Sequence, residues 1–119
     1  MSFLNKLFGG IQTTGATAIN AAEAKERING ANPPYLLDVR ETYEYREAHI
    51  PGARLIPLGE LGTKLDELPR DREILVICRS GNRSGTATRQ LLGEGFKAVN
   101  LNGGMIGWQR SGFPTKRGK

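Results

Sequence analysis

The chain reads as an α/β protein built on a parallel sheet covered on both faces. Two observations predict this. Its strand candidates are short, continuous apolar runs such as Ile74-Leu75-Val76-Ile77, not alternating ones, as strands buried on both sides require. Helix-forming stretches separate those runs, the spacing of crossover connections between parallel strands. A third observation concerns position. Cys78, the one cysteine among 119 residues, ends the strongest run, and ligands of open parallel sheets bind beyond the carboxyl ends of the strands.

Residues 1–18 stand apart as an N-terminal arm, and residues 19–119 form the domain. In the arm, Phe3, Leu4, Leu7 and Phe8 share one helical face, but a helix so short is marginal alone. A flexible or self-packed extension is expected, with membrane or partner contact through residues 1–8 as the alternative. The domain opens with Asn20 and Glu23, spaced as a capping box for a helix through Ile28 that Gly30 stops. A strand over 35–39 follows the Pro33-Pro34 pair. A helix over 41–48, a turn over 50–53, a brief strand over 55–57 and a helical turn over 61–65 come next. The second strong strand covers 73–77 and is followed by a helix over 84–93. A strand over 98–101 and a helix over 105–111 complete the domain before Pro114.

Composition sets bounds on function. Apolar content of 38% and charged content of 24% suit a soluble globular domain. The formal net charge is +5, part of it in the terminal Lys116-Arg117-Gly118-Lys119. No basic run is interleaved with aromatics, which argues against nucleic acid as a partner. One cysteine forms no internal disulfide, and a lone thiol is best kept functional in a reducing compartment. With His49 as the single histidine, no metal cluster is expected around Cys78, and no cofactor is implied. No apolar stretch reaches membrane-spanning length, and the N-terminal apolar pairs are too short for a signal peptide. The cytoplasm is the expected location.

The chemistry concentrates in Cys78-Arg79-Ser80-Gly81-Asn82-Arg83-Ser84. A buried strand, a tight polar loop and then a helix make a cradle whose backbone N–H groups converge, and the helix N-terminus favours an anion there. A thiol in that setting, beside two arginines, ionises more readily than a free cysteine. Gly81 allows the tight turn, and Asn82 tolerates unusual dihedrals.

Several separated motifs resemble one family. Leu37-Asp38-Val39-Arg40-Glu41, His49-Ile50-Pro51-Gly52-Ala53, the Cys78 loop, and Gly103-Gly104 followed by Trp108 and Gly112-Phe113-Pro114 are similar to the single-domain rhodaneses, over roughly 19–114. The resemblance implies a rhodanese-like, five-stranded parallel sheet with helices on both faces. It also implies a sulfurtransferase in which Cys78 takes a sulfane sulfur from thiosulfate or a persulfide donor. The resulting persulfide passes its outer sulfur to cyanide, a thiol or a protein acceptor. The expected loop and substrate-binding residues are Arg79, Ser80, Gly81, Asn82, Arg83 and Ser84. Arg79 is expected to face solvent and attract the anionic donor, and Arg83 to brace the loop through carbonyls or a carboxylate. Asp38 and Arg40 are expected in support, paired with each other or with loop groups. His49 is expected to fix a turn, and Trp108 to fill the core.

Loop length bears on the alternatives. Cysteine phosphatases of this fold place seven positions from cysteine to arginine, whereas Cys78 to Arg83 spans six, a cradle better sized for sulfur than for phosphate. An arsenate reductase would lack a second cysteine to resolve an oxidised intermediate within the chain. A sulfur-carrier or protein-docking module is the other class of reading.

Overall fold

The computed structural model describes residues 17–119, so the expectation for residues 1–16 lies outside it. Five parallel strands form one sheet in the order β1-β5-β4-β2-β3. These are β1 (Ala18–Ile19), β2 (Tyr35–Asp38), β3 (Arg54–Leu55), β4 (Glu73–Ile77) and β5 (Lys97–Leu101). Among the described residues, four α-helices accompany them: α1 (Ala21–Ile28), α2 (Thr42–Glu47), α3 (Asn82–Gly93) and α4 (Gly104–Arg110). Two 3₁₀ turns, Leu58–Thr63 and Leu65–Glu67, bridge β3 and β4.

The unbroken apolar runs follow from burial on two sides. Leu36, Leu75, Ile77, Val99 and Leu101 point to one face, where they meet Ala21 and Ala24 of α1 and Met105 and Trp108 of α4. Leu37, Ile74, Val76 and Ala98 point to the other, against Ala87 and Leu91 of α3 and Leu61 of the first 3₁₀ turn. Each fully buried side chain of this kind contributes roughly 1.5–3 kcal/mol. Trp108 is 1% exposed; its indole N–H donates to the Pro114 carbonyl at 2.8 Å, and Phe113 meets its ring edge to face at 5.1 Å. The expected core role for Trp108 holds, and it accounts for the spacing of Trp108 and Phe113-Pro114.

The structure departs from the sequence pattern in several places. The pattern assigns Ala18 to the arm, but Ala18 and Ile19 pair with Asn100 and Leu101 as β1. A two-residue strand carries no periodicity, so its pairing, not its sequence, creates it. At α1, Asn20 accepts from the Glu23 N–H at 2.9 Å, which is half of a capping box. The Glu23 carboxylate turns instead to Arg27 at 2.7 Å. The reciprocal half appears at α2, where the Glu44 carboxylate accepts from the Glu41 N–H at 2.9 Å. Helix α3 begins at Asn82, two residues before the expected 84, because Gly81 at φ 108° caps it in a conformation that favours glycine.

Candidate functional site

Strand β4 delivers Cys78 to the carboxyl edge of the sheet, and α3 starts four residues later. The loop between them curls around the sulfur. Cys78 is 1% exposed, and its Sγ accepts from the Gly81 N–H at 3.0 Å and from the Ser84 hydroxyl at 3.2 Å. Burial alone raises a thiol pKa. Here the Ser84 hydroxyl and the N–H groups of Ser84, Gly81 and Ser80 outweigh it, and the Cys78 pKa falls below its ordinary value. The leading acidifying contacts are thus neutral donors aimed at the sulfur, and the Arg83 charge adds a Coulombic pull of the expected sign.

Three further contacts hold the cradle in shape. Arg83 makes its hydrogen bonds to α2, where its guanidinium grips the Glu44 carboxylate through Nη1–Oε1 at 2.7 Å and Nη2–Oε2 at 2.8 Å. The pairing holds the Glu44 carboxyl at about 2 and raises the Arg83 pKa. On the opposite side, Asn100 of β5 donates from Nδ2 to the Gly81 carbonyl at 3.1 Å, and its Oδ1 accepts from the Ser84 hydroxyl. Beneath, the first N–H groups of α4 bind the loop's own carbonyls: Met105 to Cys78 at 2.9 Å and Ile106 to Arg79 at 3.1 Å. That approach requires Gly104. A Cβ there would lie 2.5 Å from the Arg79 and Cys78 backbone, and its φ is +56°.

The expected site residues fall into two groups. Cys78, Gly81, Arg83 and Ser84 converge in the cradle, while Arg79, Ser80 and Asn82 are exposed around it. Arg79 faces solvent beside a shallow groove of about 280 Å³ that Glu47 and Gln109 also line. Asp38 and Arg40 pair with each other, not with the loop. Both are nearly fully buried, Nη2–Oδ2 is 2.8 Å and Nε–Oδ1 2.9 Å, and Arg40 also donates to the Ala48 carbonyl at 2.8 Å. This ties the end of β2 to the end of α2, the helix that carries Glu44. His49 is buried, stacks on Tyr45 with ring centroids 3.7 Å apart and bonds the Tyr45 carbonyl through Nδ1 at 2.8 Å. It fixes a turn, as expected.

Glu44, Asn100 and Gly104 are the contributors that sequence reasoning missed. Asn100 had a signal: a polar residue inside the apolar run Val99-Asn100-Leu101. Gly104 had a weaker one in the Gly103-Gly104 pair. Glu44 had none, since its partner lies 39 positions away. A larger open groove of about 500 Å³ sits at the other end of the strands, lined by Ala31, Asn32, Pro33, Asp71, Arg72 and Glu73. It offers no thiol, hydroxyl or imidazole.

The open parallel sheet thus presents a buried thiol, lowered in pKa, in a cradle of N–H and hydroxyl donors at its carboxyl edge. The chain belongs to the rhodanese-like domain family, whose model matches residues 20–111. It is 43% identical over 91 residues to YtwF of Bacillus subtilis, named as a candidate sulfurtransferase, covering 76% of this chain and 88% of that protein. It is 45% identical over 85 residues to YrkF of the same organism, named as a candidate sulfur carrier, covering 71% of this chain and 46% of that protein. Among solved structures, a rhodanese-related protein from Thermoplasma volcanium superposes with a TM-score of 0.78 at 37% identity, over 83% of this chain and 96% of that one. Among the described residues, no helix is long and apolar enough to cross a membrane.

Proposed function

We propose that this protein is a sulfurtransferase that moves a sulfane sulfur through a persulfide on Cys78. The observation that carries the proposal is the hydrogen-bonded sulfur itself, met by the Gly81 N–H and the Ser84 hydroxyl at the head of α3. Both donors suit a thiolate nucleophile, and the convergent loop N–H groups suit the persulfide anion that replaces it. In the first half-reaction the Cys78 thiolate attacks the outer sulfur of thiosulfate. An S–S bond forms to Cys78, the S–S bond of thiosulfate breaks, and sulfite leaves with the electron pair. In the second, cyanide or a thiolate attacks the outer sulfur and the Cys78 thiolate is released. No general base is required, which agrees with His49 serving a turn. Arg79, exposed at the rim, meets the anionic donor before it reaches the sulfur.

The six-position loop from Cys78 to Arg83 favours sulfur over a tetrahedral phosphate. The test is thiocyanate formation from thiosulfate and cyanide with the purified protein and with Cys78→Ser. Ping-pong turnover lost in the serine variant supports the proposal, and equal turnover in the two contradicts it.

The likeness to YrkF favours a second reading, a sulfur carrier whose acceptor is another protein. Deleting residues 1–15, which precede β1, separates the two. A carrier that docks through the arm loses its partner and keeps its thiosulfate turnover.

A further inference from the structure

Ser84 has one hydroxyl proton, and the fold sets two acceptors against it. Its Oγ lies 3.2 Å from the Cys78 sulfur and within hydrogen-bond distance of Asn100 Oδ1. A hydroxyl donates once, so these two bonds exclude each other. Turning the Asn100 amide over does not resolve the conflict. Its Nδ2 donates to the Gly81 carbonyl at 3.1 Å, and the flipped amide would set oxygen against oxygen there.

We propose that Asn100 is a positioning residue that competes with the Cys78 sulfur for the Ser84 proton. It takes the proton when the sulfur is a neutral thiol or carries an extra sulfur atom, and yields it to the thiolate. A thiolate offers a charge-assisted bond that outbids a neutral amide oxygen. A thiol is a weak acceptor and a donor, so its S–H points to Ser84 Oγ while the Ser84 proton turns to Asn100. In a persulfide the negative charge sits on the outer sulfur, which leaves Sγ a weak acceptor and frees the hydroxyl again. Only a rotation about the Ser84 Cβ–Oγ bond separates the states; no heavy-atom bond changes. Asn100 therefore favours the neutral and sulfurated sulfur over the bare thiolate, against the pull of the loop amides. The sulfurated state in this scheme rests on the sulfur-transfer proposal, whereas the competition in the free thiol does not.

The charged groups around the loop are Arg79 within it with Glu47 across the groove, Arg83 of α3 bound to Glu44 of α2 and near Glu41, Arg89 of α3 beside Gly85 and Asn100, and Arg40 bound to Asp38 at the end of β2. From α4 the loop receives backbone N–H groups of Met105 and Ile106. None of these charges changes when Asn100 is replaced, so a shift reports the Ser84 proton.

The experiment is a titration of the Cys78 thiolate by its ultraviolet absorbance in the unmodified protein, Asn100→Ala, Ser84→Ala and the double variant. Asn100→Ala should lower the Cys78 pKa by about half a pH unit, the size of one neutral hydrogen bond. Ser84→Ala should raise it, and in the absence of Ser84 the change at Asn100 should move nothing. A loop merely slackened by loss of the Gly81 clasp gives the opposite sign, because straying amides raise the pKa. Asn100→Leu, which keeps the volume and removes both polar atoms, must repeat the fall. An unmoved or raised pKa in both Asn100 variants, or a fall that persists without Ser84, overturns the proposal. The titration needs no sulfur donor, so a protein that never forms a persulfide sinks the sulfur-transfer proposal and leaves this one standing.

Discussion

Arg83 and Glu44 lie 39 positions apart and meet through two parallel hydrogen bonds of 2.7 and 2.8 Å. The pair joins the start of α3, and so the sulfur cradle, to α2. Glu44 serves twice, since the same carboxylate accepts from the Glu41 N–H that opens α2.

Glu44→Gln should therefore loosen the cradle. Arg83 is 36% exposed, so solvent compensates part of the loss, and a stability cost of about 1 kcal/mol is expected. Turnover should fall severalfold, because the loop amides lose their brace. The effect has a pH signature. Pairing depresses the Glu44 carboxyl from 4.5 to about 2, so the stabilisation is fully present above 4.5 and is lost as pH falls through about 2. Denaturant unfolding of the two proteins across that range should show a constant difference above pH 5 that shrinks toward acid.

Gly104→Ala should be far more damaging. Its Cβ has no room against the Cys78 and Arg79 backbone at 2.5 Å, so α4 must withdraw and release two carbonyls of the loop. A loss of about 2–4 kcal/mol and of most turnover is expected. Gly107→Ala, one turn further along α4, is the control. The nearest atom to its Cβ is 4.0 Å away, and alanine inside a helix gains about 0.5–1 kcal/mol. Melting curves of the two variants should shift in opposite directions.

Asp38 and Arg40 form a buried ion pair whose expected role is structural. Removing either one leaves a buried charge uncompensated, at about 3–5 kcal/mol. Asp38→Ala and Arg40→Ala should each show this in denaturant unfolding, and the double variant should lose much less than the sum. Full additivity would mean that the 2.8 Å contact does not couple them.

Arg79→Ala tests the exposed rim. If its charge draws in an anionic donor, the Michaelis constant for thiosulfate rises, kcat holds, and the salt dependence of kcat/KM weakens. A Michaelis constant that stays put ends that role for Arg79.

Much of this was legible in the sequence, for identifiable reasons. Runs such as Ile74–Ile77 announce strands buried twice over, and Cys78 at the end of one marks the candidate site. The two-residue β1 was illegible because only its pairing with Asn100 and Leu101 defines it. The Ser84 hydroxyl's share in the thiol's acidity was illegible for a similar reason. Sequence places Arg83 next to the cradle with a carboxylate as one expected partner, but not which carboxylate across the fold it meets. Asn100 was visible as an anomaly in an apolar strand, yet its two bonds to the loop emerge only when β5 and α3 lie side by side.

The central claim is that Cys78 carries the transferred sulfur, and intact mass after incubation with thiosulfate tests it most directly. The account predicts a species heavier by one sulfur atom, absent from Cys78→Ser and removed by cyanide as thiocyanate appears. A fully reduced thiol that gains no mass from thiosulfate or from a persulfide donor would contradict it.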